Sequence, residues 1–314
     1  MPEESSTAKT KISEDKVKTI LERKFGGIVA LVPLASGEVS QAFSFKVDNR
    51  ELVLRVRKEP SSGFAKDKYA GENFTKLGVP IPKVLEIGES EGYQYAISEK
   101  APGVDMDQLT VKERLEARPD LYRVLDNIHS FEAGEEQGFG DWDTEGKGKY
   151  GSWRRCLTSF IERETERWKD GFYKETVFEK QDFERLKRAF YSVIDFCPER
   201  RDLVHSDYGF NNLIVSDNKI SGVVDWEHSK YGDFVFDVAW LEFWRKGSGF
   251  AKELKSHYEV TGRDVKNFEK RLLAYVFYFG IGAIGFFAKS KQPKGYKWTR
   301  DRLMEFAEEA EKPS

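Results

Sequence analysis

The stretch 203–227, which reads LVHSDYGFNNLIVSDNKISGVVDWE, decides the fold prediction for this chain. It holds His205 and Asp207 two positions apart, and Asn212 follows five positions after that aspartate. Two apolar runs then flank an Asp-Asn pair, which predicts a β-hairpin with a tight turn. Asp225 comes directly after the second run. The stretch therefore brings several polar side chains to the ends of one short hairpin.

The expected register of this hairpin places two oxygen-bearing side chains together. If residues 212–216 pair with 219–224, Asn212 faces Val223 across the hairpin. Side chains alternate along a strand, so Asp225 would fall on the same face as Asn212, diagonally adjacent to it. A β-bulge would upset this register. Without a bulge, both oxygens can reach one cation.

Phosphoryl transfer is the chemistry that this pattern favours, because it asks the protein mainly for positioning and charge neutralisation. The reaction needs a carboxylate near the attacking hydroxyl and oxygen ligands for the Mg²⁺ that bridges the phosphates. Asp207 fits the first need, and Asn212 with Asp225 fits the second. The alternative is a plain hairpin whose Asp and Asn residues only form turns.

The sequence on either side predicts a β-rich region followed by a helical one. An opening helix begins after Ser13 and ends at Gly26. The pattern then predicts strands over 28–34, 40–47, 51–57 and 93–99, with a helix around 64–77. Helices are expected over 107–131, 152–169, 178–196, 233–246, 263–289 and 296–311. The glycine-rich segment 134–151 has no clear period, which is typical of a functional or mobile loop.

Several motifs, in the same order, resemble one known family. HSDYGFNN and VVDWE resemble the catalytic segments of the aminoglycoside phosphotransferases. Other segments of the same family are similar to LASGEVSQAFSFKV, LVLRV, VPIPKVLEIGE and YGDFVFDVAWLEFWR. The resemblance implies an α+β, protein-kinase-like bilobal fold, with a small antiparallel β N-lobe containing one helix and a larger, mainly helical C-lobe. It places the N-lobe at 1–98, the hinge at 99–105 and the C-lobe at 106–314, with a catalytic hairpin at 203–225 and the substrate site.

The resemblance also implies roles for the residues of the central stretch. Asp207 would be the catalytic base that orients the substrate hydroxyl, and His205 would brace its loop. Asn212 and Asp225 would hold Mg²⁺. Asp237, in the following GDxxxD pattern, would buttress the catalytic loop. The implied cofactors are ATP and Mg²⁺.

The nucleotide side of the site departs from the usual kinase pattern. Where kinases place a lysine on the third strand, this chain has Arg55, which shares a strand face with Val53. Val53 would contact adenine and Arg55 the phosphates, but arginine is not a simple replacement for lysine. Lys66 from the next helix is the alternative cation. The acidic partner would be Asp67, or else Glu72.

Two further segments are candidate nucleotide contacts. Ser36, Gly37 and Ser40 lie between the first two strands, where kinases cover the phosphates, and backbone amides there can cap an anion. Glu99, Lys100 and Ala101 form the connector whose backbone would meet the adenine edge. Neither segment carries a specific motif such as GxGxxG.

Acidic residues are the candidate substrate contacts. Glu227 follows the Asp-Trp pair directly, and Asp141 with Asp143 lies in the long loop. An acidic wall suits a polycationic sugar, and the resemblance implies a cationic aminoglycoside acceptor, hygromycin B among the candidates. The alternative is a solvated charge run. His129 is expected to pack against the catalytic loop rather than take part in chemistry.

Composition excludes some function classes and favours others. The chain has 51 Lys and Arg against 54 Asp and Glu, a net charge of −3, so no nucleic-acid partner is expected. Two cysteines outside any cluster favour a reducing, cytoplasmic location over a disulfide or zinc scaffold. The uncharged run 272–288 is short for a membrane span, and a buried core helix explains it without a membrane.

Other readings remain open at this point. A kinase of another hydroxylated metabolite, such as an amino alcohol or a sugar, would have the same nucleotide site. A protein kinase fits poorly, because Trp226-Glu227 stands where Phe-Gly is expected. A nucleotide-binding pseudokinase scaffold is favoured only by Arg55. A metal-dependent hydrolase fits poorly with four histidines in the chain.

Overall fold

The structure is a computed structural model that describes residues 10–34, 40–58, 60–168 and 179–311, with the side chains of 167 and 168 left out. The chain divides into two compact units. One comprises 1–127 and 210–227, and the other comprises 128–209 and 228–314. The lobe boundaries expected from the sequence remain a prediction.

The opening helix of the first unit is capped as the sequence predicts. Helix α1 spans Glu14–Phe25, and the Ser13 side chain accepts a hydrogen bond from the Lys16 amide. Gly26 ends the helix in the left-handed conformation, with φ of 70°. Val17, Ile20 and Leu21 are buried, and they form one apolar face of the helix.

An antiparallel five-stranded sheet follows, in the order β1-β2-β3-β5-β4. Its strands are β1 Val29–Pro33, β2 Gln41–Val47, β3 Arg50–Arg57, β4 Val84–Ser90 and β5 Tyr93–Glu99. Asp48 and Asn49 join β2 to β3 with φ of 49° and 63°, the two positive values that a type I′ turn requires. Helix α2, Gly63–Phe74, is extended by a 3-10 turn over Thr75–Leu77. These predicted elements are confirmed.

A second sheet of the first unit holds the hairpin singled out in the sequence. Strands β6 Val104–Asp105, β10 Leu213–Ser216 and β11 Lys219–Val223 lie in the order β11-β10-β6. A bulge falls between Ile214 and Val215. The predicted register holds at the turn and is wrong beyond the bulge, where Asn212 lies opposite Val224. Helix α3, Val111–His129, completes this part of the chain.

The second unit is built on a four-stranded sheet, ordered β8-β7-β12-β9, and a set of helices. The strands are β7 Phe139–Trp142, β8 Gly148–Tyr150, β9 Asp202–Val204 and β12 Lys230–Gly232. The helices are α4 Trp153–Trp168, α5 Lys180–Val193, α6 Val235–Trp244, α7 Phe250–Thr261, α8 Phe268–Lys289 and α9 Pro293–Ala310. Short 3-10 turns cover Glu135–Gln137 and Ile194–Phe196 in this unit, and Met106–Gln108 and Phe210–Asn212 in the first unit.

One sequence expectation is wrong in this unit, and helix α7 and strand β12 lie outside the predicted elements. The segment 134–151 is an ordered hairpin of β7 and β8, because its aromatic residues are buried: Phe139 and Trp142 are 4% and 2% exposed. Helix α7 was not expected. It buries Phe250, Leu254 and Tyr258 at a spacing of four and ends at Gly262, where φ is 80°.

Helix α8 carries the uncharged run. It is the one helix of the described part of the chain that is long and apolar enough to cross a membrane, with a hydropathy of 1.6 over its best window. However, 67% of that window is buried inside the protein, and the helix packs against α4, α5, α6 and α9. This burial is typical of a core helix. An antiparallel sheet region followed by a mainly helical part confirms the α+β class.

Candidate active site

Strand β3 presents Arg55 on the face opposite its core residues. Leu52, Leu54 and Val56 are buried at 1% exposure or less, while Val53 and Arg55 are half-buried on the other face. The Arg55 guanidinium lies 5.0 Å from the centroid of the Phe64 ring. Alternation along the strand therefore places Val53 and Arg55 together, as the sequence predicts.

Asp67 on α2 is the acidic partner of this arginine. Its Oδ2 lies 2.5 Å from Arg55 Nη2. Burial alone would lower the pKa of the Arg55 guanidinium, but nearby carboxylates, Asp67 first among them, raise it above its ordinary value. Glu72 lies on the exposed side of α2 and pairs with Lys68 at 4.0 Å. Of the two acidic candidates, Asp67 is the one that the fold brings to Arg55.

Two neighbouring charged residues of α2, Lys66 and Asp67, also contact the segment after the hairpin. Asp67 Oδ1 accepts a hydrogen bond of 2.8 Å from the Trp226 amide, and Lys66 Nζ donates one of 2.6 Å to the Glu227 carbonyl. The Trp226 indole is fully buried and packs 5.8 Å from the Phe74 ring. Lys66 Nζ is thus engaged by a main-chain oxygen, whereas the Arg55 guanidinium is paired with a carboxylate on α2.

The hairpin holds the two candidate metal ligands. The Asn212 carbonyl accepts a 3.0 Å hydrogen bond from the Val224 amide, and its side-chain oxygen accepts one from Asn211. Asp225 lies two residues after the end of β11 and has a φ of 67°, outside the extended conformation of a strand. Strand alternation therefore does not decide where its carboxylate points.

Charged side chains from β3 and α2 interact with the Asp225 carboxylate. Burial raises the pKa of its carboxyl to about 6, and the neighbouring Asp67 adds to the rise while Arg55 opposes it. A bound cation stabilises such a carboxylate, and amide and carboxylate oxygens are the ligands that Mg²⁺ takes. Within the described residues, no group of three or more His, Cys, Asp or Glu is arranged for a metal. Asn212, just before β10, and Asp225, two residues after β11, carry oxygen donors of this kind.

In the second unit, Asp237 braces the loop that carries Asp207. Its carboxylate accepts hydrogen bonds from the His205 amide at 2.9 Å and the Ser206 amide at 2.7 Å. Ser206 has a φ of 65°, an uncommon conformation that these bonds support. His129 Nε2 lies 3.1 Å from the same carboxylate. The His205 ring is fully buried and packs edge-on against Tyr208, whereas Asp207 is half-buried.

The acidic candidates of the segment 134–151, Asp141 and Asp143, make contacts within the protein. Asp141 Oδ1 lies 2.7 Å from Nζ of the buried Lys230. Asp143 accepts hydrogen bonds from the amides of Glu145 and Lys147, which close a turn and lower the pKa of its carboxyl. Because both carboxylates have partners within the protein, these contacts argue against an acidic wall that binds a cationic substrate.

The remaining nucleotide candidates have few distinguishing contacts. Ser36 and Gly37 lie outside the described residues, and Ser40 is half-buried just before β2. The amides of Glu99 and Lys100 donate to the carbonyls of Lys83 and Glu51. Ala101 is half-buried after the end of β5.

Comparison with known proteins identifies the family. A model of the phosphotransferase enzyme family matches residues 30–268, more than half of the chain. This chain belongs to the phosphotransferase enzyme family. The phosphotransferase is 31% identical over 277 residues to hygromycin-B 4-O-kinase of Escherichia coli, covering 87% of this chain and 79% of that relative. A probable ketoamine kinase of Staphylococcus aureus is 21% identical over 260 residues, with 80% and 85% covered.

A solved structure supports the same family at the level of the fold. The phosphotransferase matches a thermostable mutant of aminoglycoside phosphotransferase APH(4)-Ia, in a ternary complex with ADP and hygromycin B, with a TM-score of 0.83 and 28% identity. The match covers 95% of this chain and all of that one. The predicted kinase-like fold, and the prediction that the chain is a phosphotransferase, are confirmed.

Sequence reasoning missed several residues around Glu227. Arg57 Nη1 lies 3.1 Å from Glu227 Oε2, and Ser61 Oγ donates a 2.9 Å hydrogen bond to Oε1. The strand pattern gave one signal, because Arg57 shares the face of Val53 and Arg55. Nothing in the sequence pointed to its partner 170 positions away.

Proposed function

We propose that this phosphotransferase moves the γ-phosphate of Mg·ATP to a hydroxyl of a cationic aminoglycoside, with hygromycin B as the first candidate. The observation that carries the proposal is the position of Asp67, which joins Arg55 to the main chain beside Asp225. Asp67 thereby links Arg55, the candidate phosphate ligand, to the residue next to Asp225, a candidate metal ligand. The relative that is named a hygromycin-B 4-O-kinase supports the choice of acceptor.

The nucleotide would be held by the first unit. Arg55 would bind phosphate oxygens through its guanidinium fork. Val53 would contact adenine, whose edge would meet the backbone of 99–101. Ser40, with Ser36 and Gly37, would cover the phosphates.

The reacting groups would be held by the two ends of the stretch 203–227. Asn212 and Asp225 would hold Mg²⁺, which neutralises phosphate charge when it is bound. Asp207 would orient the acceptor hydroxyl and take its proton. Asp237 and the buried His205 would keep the loop of Asp207 in place. A cytoplasmic location and a role in antibiotic resistance belong to the same proposal.

A kinase of another hydroxylated metabolite is the second candidate. The contact of Asp141 with Lys230 and the turn role of Asp143 favour it, because they remove negative charge that a polycationic acceptor would use. The similarity to a probable ketoamine kinase points the same way.

A turnover panel separates these candidates. ADP release would be measured with hygromycin B, other aminoglycosides, amino alcohols and ketoamines, each with and without Mg²⁺. We expect Mg²⁺-dependent turnover with hygromycin B. Turnover confined to amino alcohols or ketoamines would support the second candidate, and no turnover of any acceptor would contradict both.

A further inference from the structure

The side chain of Glu227 is held by residues of its own unit. Arg57 Nη1 lies 3.3 Å from Oε1 and 3.1 Å from Oε2, and Ser61 Oγ donates to Oε1 at 2.9 Å. Both carboxylate oxygens therefore accept hydrogen bonds inside the protein. We call Arg57, Ser61 and Glu227 the Glu227 clamp.

The clamp occupies the space that a side chain at Gly63 would take. A Cβ at this position would lie 2.6 Å from Glu227 Oε2 and 3.0 Å from Arg57 Nη1. The Gly63 amide also donates to Ser61 Oγ at 3.0 Å. A glycine here lets the backbone at the start of α2 approach the ion pair closely.

Arg57 depends on this carboxylate. Its side chain is only 8% exposed, and within the described residues its Nε has no hydrogen-bond partner. A buried cation that loses its partner is strongly unfavourable. The arginine therefore favours the arrangement in which Glu227 reaches β3.

The clamp acts on the same short segment that α2 holds by its main chain. Lys66 binds the Glu227 carbonyl, and Asp67 binds the Trp226 amide. Asp225, directly before them, has a φ of 67°, an uncommon conformation for a residue other than glycine. The contacts that hold residues 226 and 227 in place support this conformation.

We propose that Glu227 is a positioning residue: through Arg57 and Ser61 it fixes the chain at 225–227 so that Asp225 presents its carboxylate to Mg²⁺, and it does not contact the acceptor. This inference rests on the proposed function, since it assumes that a Mg²⁺-bound nucleotide occupies the first unit. It replaces the substrate role expected for Glu227 from the sequence.

Calorimetric titration of the full chain with ADP, with and without Mg²⁺, tests the assignment. We expect Glu227→Gln to weaken Mg·ADP binding roughly tenfold or more, as is usual for residues that orient a metal ligand. Its binding of ADP without Mg²⁺ should stay within about twofold of the wild type, because the clamp acts through the metal ligand. Glu72→Gln, on the exposed side of α2, is the matched control and should behave as the wild type.

Two milder variants keep the test valid if Glu227→Gln fails to fold. Ser61→Ala removes one hydrogen bond of the clamp, and Gly63→Ala crowds it without removing a charge. Both variants should weaken Mg·ADP binding, as Glu227→Gln is expected to do. In turnover assays, all three clamp variants should raise the KM for Mg·ATP and leave the KM for the acceptor unchanged.

The outcomes separate this inference from the function on which it rests. A raised acceptor KM with unaltered Mg·ADP binding would overturn the positioning role and return Glu227 to the substrate site. Wild-type Mg·ADP binding by all the folded clamp variants would overturn it too. Failure of the wild-type chain to bind Mg·ADP would overturn the proposed function together with the inference.

Discussion

Asp67 Oδ2 accepts a 2.5 Å hydrogen bond from Arg55 Nη2, so a carboxylate on α2 is paired with a cation on β3. The other oxygen of the same carboxylate binds the Trp226 amide. One side chain therefore fixes the arginine and also the segment next to Asp225. A single carboxylate thus contacts both the cation of the predicted nucleotide site and the residue that follows one predicted metal ligand.

The first prediction concerns Arg55 itself. Arg55→Ala should raise the KM for ATP roughly tenfold to a hundredfold, because hydrogen bonds to charged groups contribute about 1.5 to 3 kcal/mol. Initial rates at varied ATP measure this effect. Arg50→Ala, at the exposed start of the same strand, is the control and should leave the KM unchanged. An Arg55→Ala effect seen only on the acceptor KM would show that this residue does not bind phosphate.

A second prediction concerns the catalytic base. Asp207→Ala should lower kcat by roughly 10² to 10⁴, the usual contribution of a positioned general base. Nucleotide affinity, followed by calorimetry, should survive. Asp195→Ala, whose side chain is 70% exposed, is the control and should leave kcat near the wild-type value. Near-normal turnover by Asp207→Ala would remove this residue from the mechanism.

Much of this site follows from the sequence, because strand alternation and motif spacing are local properties. Val53 and Arg55 share a face of β3, as alternation requires, and Asp207 lies on a loop braced by Asp237. The register at Asn212 was not predictable in the same way. The bulge adds Ser221 to β11, beside Gly222. A glycine inside a strand is only a general sign of a bulge, so the sequence does not fix which residue is added.

Contacts between residues far apart in the sequence are the second feature of the site that the sequence could not predict. Glu227 finds Arg57 across 170 positions, and only the fold can bring those charges together. Helix α7 is different, because its apolar residues stand at a spacing of four and its end is marked by Gly262. That pattern is a local property of the sequence, so helix α7 is predictable from it.

A third prediction concerns stability. Arg271 and Asp233 form a buried ion pair, 1% and 0% exposed, with Tyr275 donating to the same carboxylate. Asp233→Asn should lower the free energy of unfolding by about 3 to 5 kcal/mol, because it leaves a buried guanidinium without its counter-charge. Urea unfolding measures the change.

Glu162→Gln is the control for that measurement. It removes an exposed partner of Arg155, and such surface pairs contribute about 0 to 1 kcal/mol. Equal destabilisation by the two variants would contradict the account of the buried pair.

A fourth prediction uses the cysteines. Burial raises the pKa of the Cys156 and Cys197 thiols to about 12. A raised pKa leaves little of the reactive thiolate at pH 8, so thiol reagents should label the native protein much more slowly than free cysteine, whose pKa is about 8.5. Addition of urea should release both thiols. Labelling of the native chain at the rate of free cysteine would show that the two sites are open to solvent.

Asp225 and Asn212 are the residues proposed to bind a divalent cation beside the phosphates of a nucleotide. Calorimetric titration of the wild-type chain and Asp225→Ala with ADP at increasing Mg²⁺ tests this role. Mg²⁺ should strengthen ADP binding by the wild type, and Asp225→Ala should lose this gain, because an anionic metal ligand is missing. If Asp225→Ala keeps the full gain from Mg²⁺, the metal is bound elsewhere and Asp225 is not its ligand.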